Sequence, residues 1–145
     1  MEQDARQAIV RRFFEEGWNA ADAAAVSDLI DEGYASNDGL FLTTDTDLPG
    51  GLERLSGAEA FAEHIRQYQA LYDGLRFTVR RMVADAGAVI TVWDPSGTTR
   101  DKTFIDRDGD ERPYRLEGEG VSITEVVGGK VTRHDLFWKR DPLFP

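Results

Sequence analysis

The sequence predicts an α+β fold in which helices cover the concave side of one strongly curved, antiparallel sheet. Before residue 73 the apolar residues recur with the spacing of helices, in three segments. From Leu75 onward the period changes to two, which is typical of strands, and turn residues divide this half into four or five strands. No repeat or linker divides the 145 residues, so we expect a single domain over residues 1–145.

The first two helices are predicted over residues 4–18 and 21–30. In the first, Ile9, Phe13 and Trp18 are among the apolar residues that share one face. The second is short and rich in alanine, and its apolar side leads towards Tyr34, which we expect at the entrance to a loop.

A long loop is predicted for residues 36–56, and the third helix follows it over residues 57–72. Asn37, Asp38 and Gly39 are turn residues of this loop, and residues 40–44 could form a strand or a lid. A loop of this length in a compact domain is often functional. Ser56 and Glu59 have the spacing of a capping box at the start of the third helix.

The strands are predicted at residues 75–83, 88–93, 98–105, 114–127 and 130–139. The second is apolar almost throughout, so we expect it to be buried on both faces, and Pro95 and Gly97 should end it. Gly118 and Gly120 indicate a bulge or a bend in the fourth strand.

Composition and charge exclude several classes of function. A formal net charge of −10 disfavours a nucleic-acid partner, because phosphate binding needs a basic surface. The absence of cysteine excludes disulfides, thiol catalysis and cysteine-ligated metals. No apolar run approaches the ~20 residues of a membrane span, and the first residues do not have the pattern of a signal peptide. We therefore expect a cytoplasmic protein without a membrane partner.

Short motifs in order along the chain carry a family resemblance. A helix ends in Gly-Trp-Asn at residues 17–19, and Trp93 precedes Gly97–Thr98. A turn at residues 109–112, the run Gly-Val-Ser-Ile at residues 120–123 and Gly-Lys-Val at residues 129–131 follow. With these motifs the chain resembles the SnoaL-like polyketide cyclases of the nuclear transport factor 2-like superfamily.

The resemblance implies a cone-shaped barrel whose helices and curved sheet enclose one apolar pocket. It also implies no metal and no organic cofactor, with an acidic side chain on a late strand moving protons during ring closure. Relatives in the superfamily open epoxides, isomerise steroids or only bind ligands, so the fold alone does not fix the reaction. A homodimer is expected, because the convex sheet face needs a cover in this superfamily.

Two positions depart from the family pattern. Thr99 stands where a histidine is expected, and Arg133 stands where an acid is often found. The nearest acid on the same strand face is Asp135, and strand alternation places His134 on the opposite face. His134 and Asp135 therefore cannot form a simple hydrogen-bonded pair in a regular strand.

We interpret Asp135 as the proton carrier, because burial raises the pKa of a carboxyl group towards the range that acid/base catalysis needs. Arg133 could orient a substrate oxygen, or it could form a surface salt bridge with Asp135. His134 is the alternative catalytic residue, since imidazole titrates near neutral pH. The residues that we expect to bind substrate are Trp18, Tyr34, His64, Tyr68, Tyr72, Trp93, Arg133 and Phe137.

These observations lead to one main hypothesis and two alternatives. The main hypothesis is a cofactor-independent cyclase of polyketide or other secondary metabolism, which acts on a small apolar, oxygenated substrate and closes a ring, with epoxide opening as one route. The first alternative is an epoxide hydrolase or isomerase of the same fold. The second is a small-molecule-binding module without catalysis.

Overall fold

The computed structural model describes residues 3–38, 55–85 and 87–138. Helical segments pack against a curved, open sheet of mixed strand direction, which confirms the predicted α+β class. The segment at residues 40–44, predicted as a strand or a lid, lies outside the described residues.

The first helix changes its winding before it ends. Helix α1, Gln3–Arg12, continues as a π-helix over Phe13–Asn19, and a 3₁₀ helix follows over Ala23–Leu29. At the end of the π-helix the Ala20 N–H donates to the carbonyl of Glu15 at 3.1 Å, five residues earlier. The wider turn leaves three large aromatic side chains buried: Phe13, Phe14 and Trp18.

Helix α2 extends over Gly57–Leu71, close to its predicted bounds. The capping box is wrong: within the described residues the Ser56 side chain makes no capping bond, and its backbone carbonyl accepts from Ala60 instead, at 3.4 Å. Tyr72 has extended dihedral angles and opens the next strand. The buried face of α2 includes Phe61, His64, Ile65 and Tyr68.

Six strands form the sheet. Their bounds are β1 Ile30–Ala35, β2 Tyr72–Ala84, β3 Ala88–Ile105, β4 Glu111–Arg115, β5 Gly120–Val127 and β6 Lys130–Phe137. The order across the sheet is β1-β6-β5-β3-β2, and β4 pairs with the distal half of β3. Strands β1 and β6 run parallel, whereas the other paired strands run antiparallel.

Strand β1 was not predicted, and it corrects the place of Tyr34, which lies in this strand rather than after a helix. Two acids and a glycine lie between its two buried residues, Ile30 and Tyr34, so no alternating pattern marks it. The strand forms through its parallel pairing with β6, a tertiary contact that local propensity does not report.

Strand β3 corrects two further expectations. It continues through Pro95 and Gly97, because Gly97 adopts a φ of 134° and bends the strand without ending it. It is not buried on both faces: Val89, Thr91 and Trp93 are buried, while the residues between them are half-buried. Among the described residues, the helices cover the concave face of the sheet.

The core lies between the concave sheet face and the helices, and its largest buried side chains are mostly aromatic. Phe13 stacks on Phe61 of α2 with ring centroids 4.8 Å apart. Trp93 lies opposite Gly120 in the pairing of β3 with β5, and its indole lies where a side chain at residue 120 would be. The absence of a side chain at Gly120, the first residue of β5, therefore leaves room for the Trp93 indole.

Candidate active site

A buried carboxylate lies just beyond the end of β1. The Asp38 side chain is 5% exposed, and its Oδ2 atom lies 2.8 Å from His64 Nε2. The same oxygen accepts a hydrogen bond from the hydroxyl of Tyr68. On the other side of the imidazole, the Tyr34 hydroxyl lies 3.3 Å from His64 Nδ1. Four polar side chains thus form one hydrogen-bonded cluster, which we call the Asp38 cluster.

The charge of the Asp38 carboxylate indicates which atoms of the Asp38 cluster donate hydrogen bonds to it. An ionised carboxylate only accepts hydrogen bonds, so His64 Nε2 carries a proton towards Asp38. The Tyr34 hydroxyl is the hydrogen-bond partner of His64 Nδ1 on the other side of the ring. Burial, followed by the negative charge of Asp38, raises the pKa of Tyr34 well above its ordinary value of 10, so this tyrosine remains a neutral donor.

Asn37 fixes the position of Asp38 by binding the backbone of β6. Its Oδ1 atom accepts from the Leu136 N–H at 2.7 Å, and its Nδ2 atom donates to the Leu136 carbonyl at 3.1 Å. The Asn37 N–H donates to Asp135 Oδ1 at 2.9 Å. Asp38 itself donates its backbone N–H to Ser36 Oγ at 3.1 Å. The contacts of Asn37 and Ser36 therefore hold the buried carboxylate of Asp38 against the sheet.

A second asparagine holds Trp18 in the same manner. Asn19 accepts from the Phe77 N–H at 2.7 Å and donates to the Phe77 carbonyl at 2.8 Å. Trp18 is thereby fixed over α2, with its ring 4.9 Å from that of His64 and 5.3 Å from that of Tyr68. The aromatic wall of the Asp38 cluster is thus attached to the sheet.

A cavity of about 180 Å³ lies beside the Asp38 cluster. Its apolar wall includes Trp18 and Tyr72, and its polar wall includes Arg100. The Tyr68 ring also lines it, while the Tyr68 hydroxyl bonds to Asp38, so one side chain borders both. A substrate in this cavity would lie one aromatic ring away from the buried carboxylate.

His134 lies on the concave face and is fully buried. Its Nε2 atom lies 2.8 Å from Ser122 Oγ, which also accepts from Trp93 Nε1 at 2.9 Å. Burial, and to a lesser extent the nearby His64, lowers the pKa of His134 from 6.5 to about 3, against the opposing effect of Asp38. The ring is therefore neutral near pH 7.

Asp135 and Arg133 lie at the edge of the site and pair with each other. Arg133 Nε donates to Asp135 Oδ2 at 2.9 Å, and the Asp135 side chain is 20% exposed. Phe137 follows on the same strand and is half-exposed. The structure thus places Asp135 against Asn37 and Arg133, while His134 faces the core. The catalytic role of Asp135 and the binding roles of Arg133 and Phe137 stay predictions.

Of the other residues expected at the site, the structure brings Tyr34, His64 and Tyr68 together around Asp38, with Trp18 against them. Tyr72 lines the cavity from the start of β2. Trp93 lies deeper, 4.6 Å from the ring of Phe77.

Sequence reasoning did not select Asp38, which it interpreted as a turn residue. The local sequence Ser-Asn-Asp-Gly is typical of a loop, and nothing in it reports a partner on α2. The available signal was on the helix, where His64 and Tyr68, four residues apart, share a face with apolar residues. Two inward polar groups at that spacing require a buried partner.

Two further features of the described residues bear on the class of protein. In residues 3–38, 55–85 and 87–138 no group of three or more acidic or histidine side chains is arranged to hold a metal ion. The helices in these ranges are each too short or too polar to cross a membrane.

Solved structures with this fold cover almost the whole chain. IdmH from Streptomyces antibioticus, a candidate polyketide cyclase, superposes with a TM-score of 0.64 at 19% identity, covering 91% of this chain and 90% of its own. A candidate polyketide cyclase from Acidithiobacillus ferrooxidans gives 0.63 at 19% identity, with 92% and 87% covered. A protein from Catenulispora acidiphila with a ketosteroid isomerase-like fold, in complex with trimethylamine, gives 0.62 at 12%, with 91% and 85% covered.

These likenesses establish the fold, and the sequence itself establishes the family. No curated protein matches the sequence significantly. The sequence profile of the SnoaL-like domain, however, matches residues 10–134, from the last turn of α1 to His134. This range contains the Asp38 cluster, the cavity and most of the sheet, and it confirms the resemblance drawn from the short motifs. The chain belongs to the family of SnoaL-like domains.

Proposed function

We propose that this protein is a cofactor-independent acid/base enzyme that closes a ring in, or isomerises, a small apolar, oxygenated substrate. The observation that supports this most is the buried pair of Asp38 and His64, 2.8 Å apart, with a tyrosine hydroxyl on either side. A polyketide or another secondary metabolite fits the family and the apolar cavity. The expected location of the reaction is the cytoplasm.

In this proposal Asp38 is the base. The substrate would extend from the cavity past the Tyr68 ring, so that a carbon next to its carbonyl meets the Asp38 carboxylate. The carboxylate accepts a proton from this carbon, and the electron pair of the broken C–H bond moves towards the carbonyl oxygen as an enolate. Return of the proton to a different carbon isomerises the substrate. Alternatively, the enolate carbon attacks a second carbonyl and closes a ring, and the alkoxide that forms takes the proton back from Asp38. His64 and Tyr68 donate hydrogen bonds that hold the Asp38 carboxylate in one orientation.

The buried surroundings favour these outcomes over hydrolysis. Asp38, His64 and Tyr34 are each at least 90% buried, so the carboxylate is shielded from bulk water. A site that excludes water favours attack within the substrate. An epoxide-opening reaction without water is compatible with the same groups, since Tyr34 is a neutral hydroxyl that can donate to an epoxide oxygen.

The pairing of Arg133 with Asp135 favours a second candidate, a small-molecule-binding module without catalysis. The two carboxylate oxygens of Asp135 are engaged by Arg133 at 2.9 Å and by the Asn37 N–H at 2.9 Å, so neither is free to meet a substrate. If Asp38 is also inert, the cavity beside Tyr68 would only bind its ligand.

Hydrogen exchange and isotope incorporation distinguish these functions. We expect the protein to catalyse deuterium exchange into the carbon next to the carbonyl of an apolar bicyclic ketone, β-tetralone, in D₂O. Styrene oxide in H₂¹⁸O tests hydrolysis, which we expect to be no faster than the background. Binding of the ketone without catalysed exchange would favour the binding module, and rapid ¹⁸O incorporation would favour an epoxide hydrolase.

We also propose that the convex face of the sheet is covered by a second copy of the chain. Ile123, Val127 and Phe137 are large apolar residues on β5 and β6 that are between 36% and 65% exposed. Sedimentation analysis should give the mass of a dimer, and Phe137→Asp should yield a monomer. A monomeric native protein at micromolar concentration would contradict this proposal.

A further inference from the structure

Six buried polar atoms have no hydrogen-bond partner in the part of the chain that the structure describes, and four of them lie in one region. These four are Trp18 Nε1, Thr91 Oγ1, Thr124 Oγ1 and His134 Nδ1, and the other two are Arg6 Nε and Gln67 Oε1. The three sheet residues are fully buried, and Trp18 is 3% exposed. Buried polar groups are paired in the large majority of cases, so four orphaned atoms in one region require an explanation.

The four residues belong to one region on the concave side of the sheet, which we call the concave polar patch. Thr124 lies directly opposite His134 in the pairing of β5 with β6. Thr91 lies opposite Ser122 in the pairing of β3 with β5, so it is a diagonal neighbour of Thr124. Trp18 reaches the patch from the π-helix, with its ring 5.9 Å from that of His134.

We assign the proton of His134 from its contact with Ser122. Ser122 Oγ accepts from Trp93, and in our assignment its own hydrogen is donated to His134 Nε2, 2.8 Å away. Since the ring is neutral, the remaining proton lies on Nδ1. His134 therefore presents an N–H donor to the patch, as Trp18 does.

A patch with these donors fits an oxygen atom that only accepts. Two N–H groups are donors without acceptor capacity, and the hydroxyls of Thr91 and Thr124 can each add a donor. A carbonyl oxygen, or the more negative oxygen of an enolate, satisfies such a set. An alkyl group does not, because it leaves all four atoms unpaired at a cost of about 1–3 kcal/mol each.

We propose that the concave polar patch binds the carbonyl oxygen of the substrate and stabilises the enolate that forms when Asp38 removes the neighbouring proton. This inference rests on the proposed function. The Trp18 ring contacts both His134 and His64, so one indole borders the patch and the Asp38 cluster. When Asp38 takes the proton, the electron pair of the C–H bond moves to the oxygen, where preorganised donors in a dry site stabilise it most.

A buried water could occupy the same position, since buried waters typically make about three hydrogen bonds. The two sources of the oxygen differ in their response to a ligand. A substrate site exchanges its water for a ketone oxygen, whereas a structural water remains when a ketone binds elsewhere. The test must therefore compare a ketone with a hydrocarbon of the same shape.

The experiment is a titration of ¹⁵N-labelled protein with acetylnaphthalene, with ethylnaphthalene as the control that lacks the oxygen. The chain has three tryptophans, so three indole N–H signals are expected, and Trp18→Phe assigns the one of interest. We expect acetylnaphthalene to shift the Trp18 indole proton and the His134 Nδ1 proton downfield. The Trp93 indole proton is the internal reference, because it is already bonded to Ser122.

Three outcomes would overturn the inference. They are equal shifts with both compounds, saturable binding of the ketone without a shift at Trp18 and His134, and no saturable binding of the ketone. The same titration in Asp38→Asn separates this inference from the proposed function. If the native protein shows the shifts but no catalysed exchange, the oxygen-binding site is supported and the proposed enzymatic function is contradicted. If it catalyses exchange but shows no shifts, the function is supported and the oxygen-binding site is contradicted.

Discussion

Asp38, at the end of β1, and His64, on the buried face of α2, lie 2.8 Å apart although 26 residues separate them in the sequence. The Tyr34 and Tyr68 hydroxyls extend this contact on both sides. Proton transfer needs groups held in one geometry and shielded from water, and the SnoaL-like fold supplies both here. The predictions below test which of the nearby residues carry the chemistry and which hold it in place.

Replacing Asp135 distinguishes a proton carrier from a positioning residue. Its Oδ1 atom accepts the Asn37 N–H, and the amide oxygen of Asp135→Asn can still accept that bond, whereas Asp135→Leu cannot. We expect Asp135→Asn to keep β-tetralone exchange within about 5-fold of the native rate, and Asp135→Leu to lose more, since misplacement by about 1 Å can cost 100-fold.

The measurement is deuterium incorporation by mass spectrometry at pH 7, with β-tetralone below and above saturation. A loss in Asp135→Asn as large as the loss in Asp38→Asn would show that Asp135 carries the proton itself, as the sequence predicted.

The stability of the fold should fall at high pH because of Tyr34. Its pKa is raised in the folded state by burial and by Asp38, so this contribution is complete below pH 10 and is lost as the pH rises further. Tyr34→Phe should remove that dependence while costing about 1–2 kcal/mol at pH 7, because His64 Nδ1 loses its donor.

Urea unfolding between pH 8 and pH 11 checks this, with Tyr114→Phe on β4 as the matched control. If Tyr34→Phe and the native protein lose stability in parallel above pH 10, the buried state of the Tyr34 hydroxyl is refuted.

His134 should destabilise the protein in acid. Its folded pKa, about 3, lies below the ordinary 6.5, so its contribution is complete above pH 6.5 and is lost as the pH falls towards 3. The full loss is on the order of 5 kcal/mol at 1.4 kcal/mol per pKa unit. Between pH 6.5 and pH 4 the free energy of unfolding of His134→Gln should fall less steeply than that of the native protein. The carboxylates titrate in both proteins, so their contribution cancels in this comparison.

Ring ¹⁵N spectra of the native protein provide the same test without a variant. At pH 5 the His134 signals should be those of a neutral imidazole with a proton on Nδ1. Signals of a protonated ring at pH 5 would contradict the burial of His134 and its bond to Ser122.

Gly120→Ala should destabilise the fold through Trp93. A Cβ atom at residue 120 would overlap the Trp93 indole, which would have to leave its contact with Phe77 and its bond to Ser122. Overpacking of this kind typically costs about 1–3 kcal/mol. The control is Gly87→Ala, where no described atom lies within 4 Å of the added Cβ. Equal free energies of unfolding for the two variants would disprove the packing argument.

The sequence predicted the helices and most strands because their patterns are local. The buried face of α2 and the turn at Gly128–Gly129 can each be predicted from a short stretch of consecutive residues. Strand β1 has no such pattern, and its pairing with β6 connects residues about 100 positions apart. The long β3 was divided because Pro95 and Gly97 usually end strands, whereas here they bend one.

The site was predictable in part for the same reason. The inward face of α2 indicated His64 and Tyr68, and the resemblance indicated the last strand. Asp38 was out of reach, because a turn aspartate becomes a buried carboxylate only through Asn37, whose amide binds the edge of β6. That contact joins positions 37 and 136, and no local period reports it.

The rate of deuterium exchange into β-tetralone by Asp38→Asn, relative to Asp108→Asn in the exposed turn before β4, tests the central claim most directly. Asparagine keeps the shape of Asp38 and can still bond to His64, but it cannot take a proton. We expect Asp38→Asn to lose at least about 100-fold, the usual contribution of a general base, and Asp108→Asn to retain the native rate. Equal rates in the two variants would show that Asp38 is not the base.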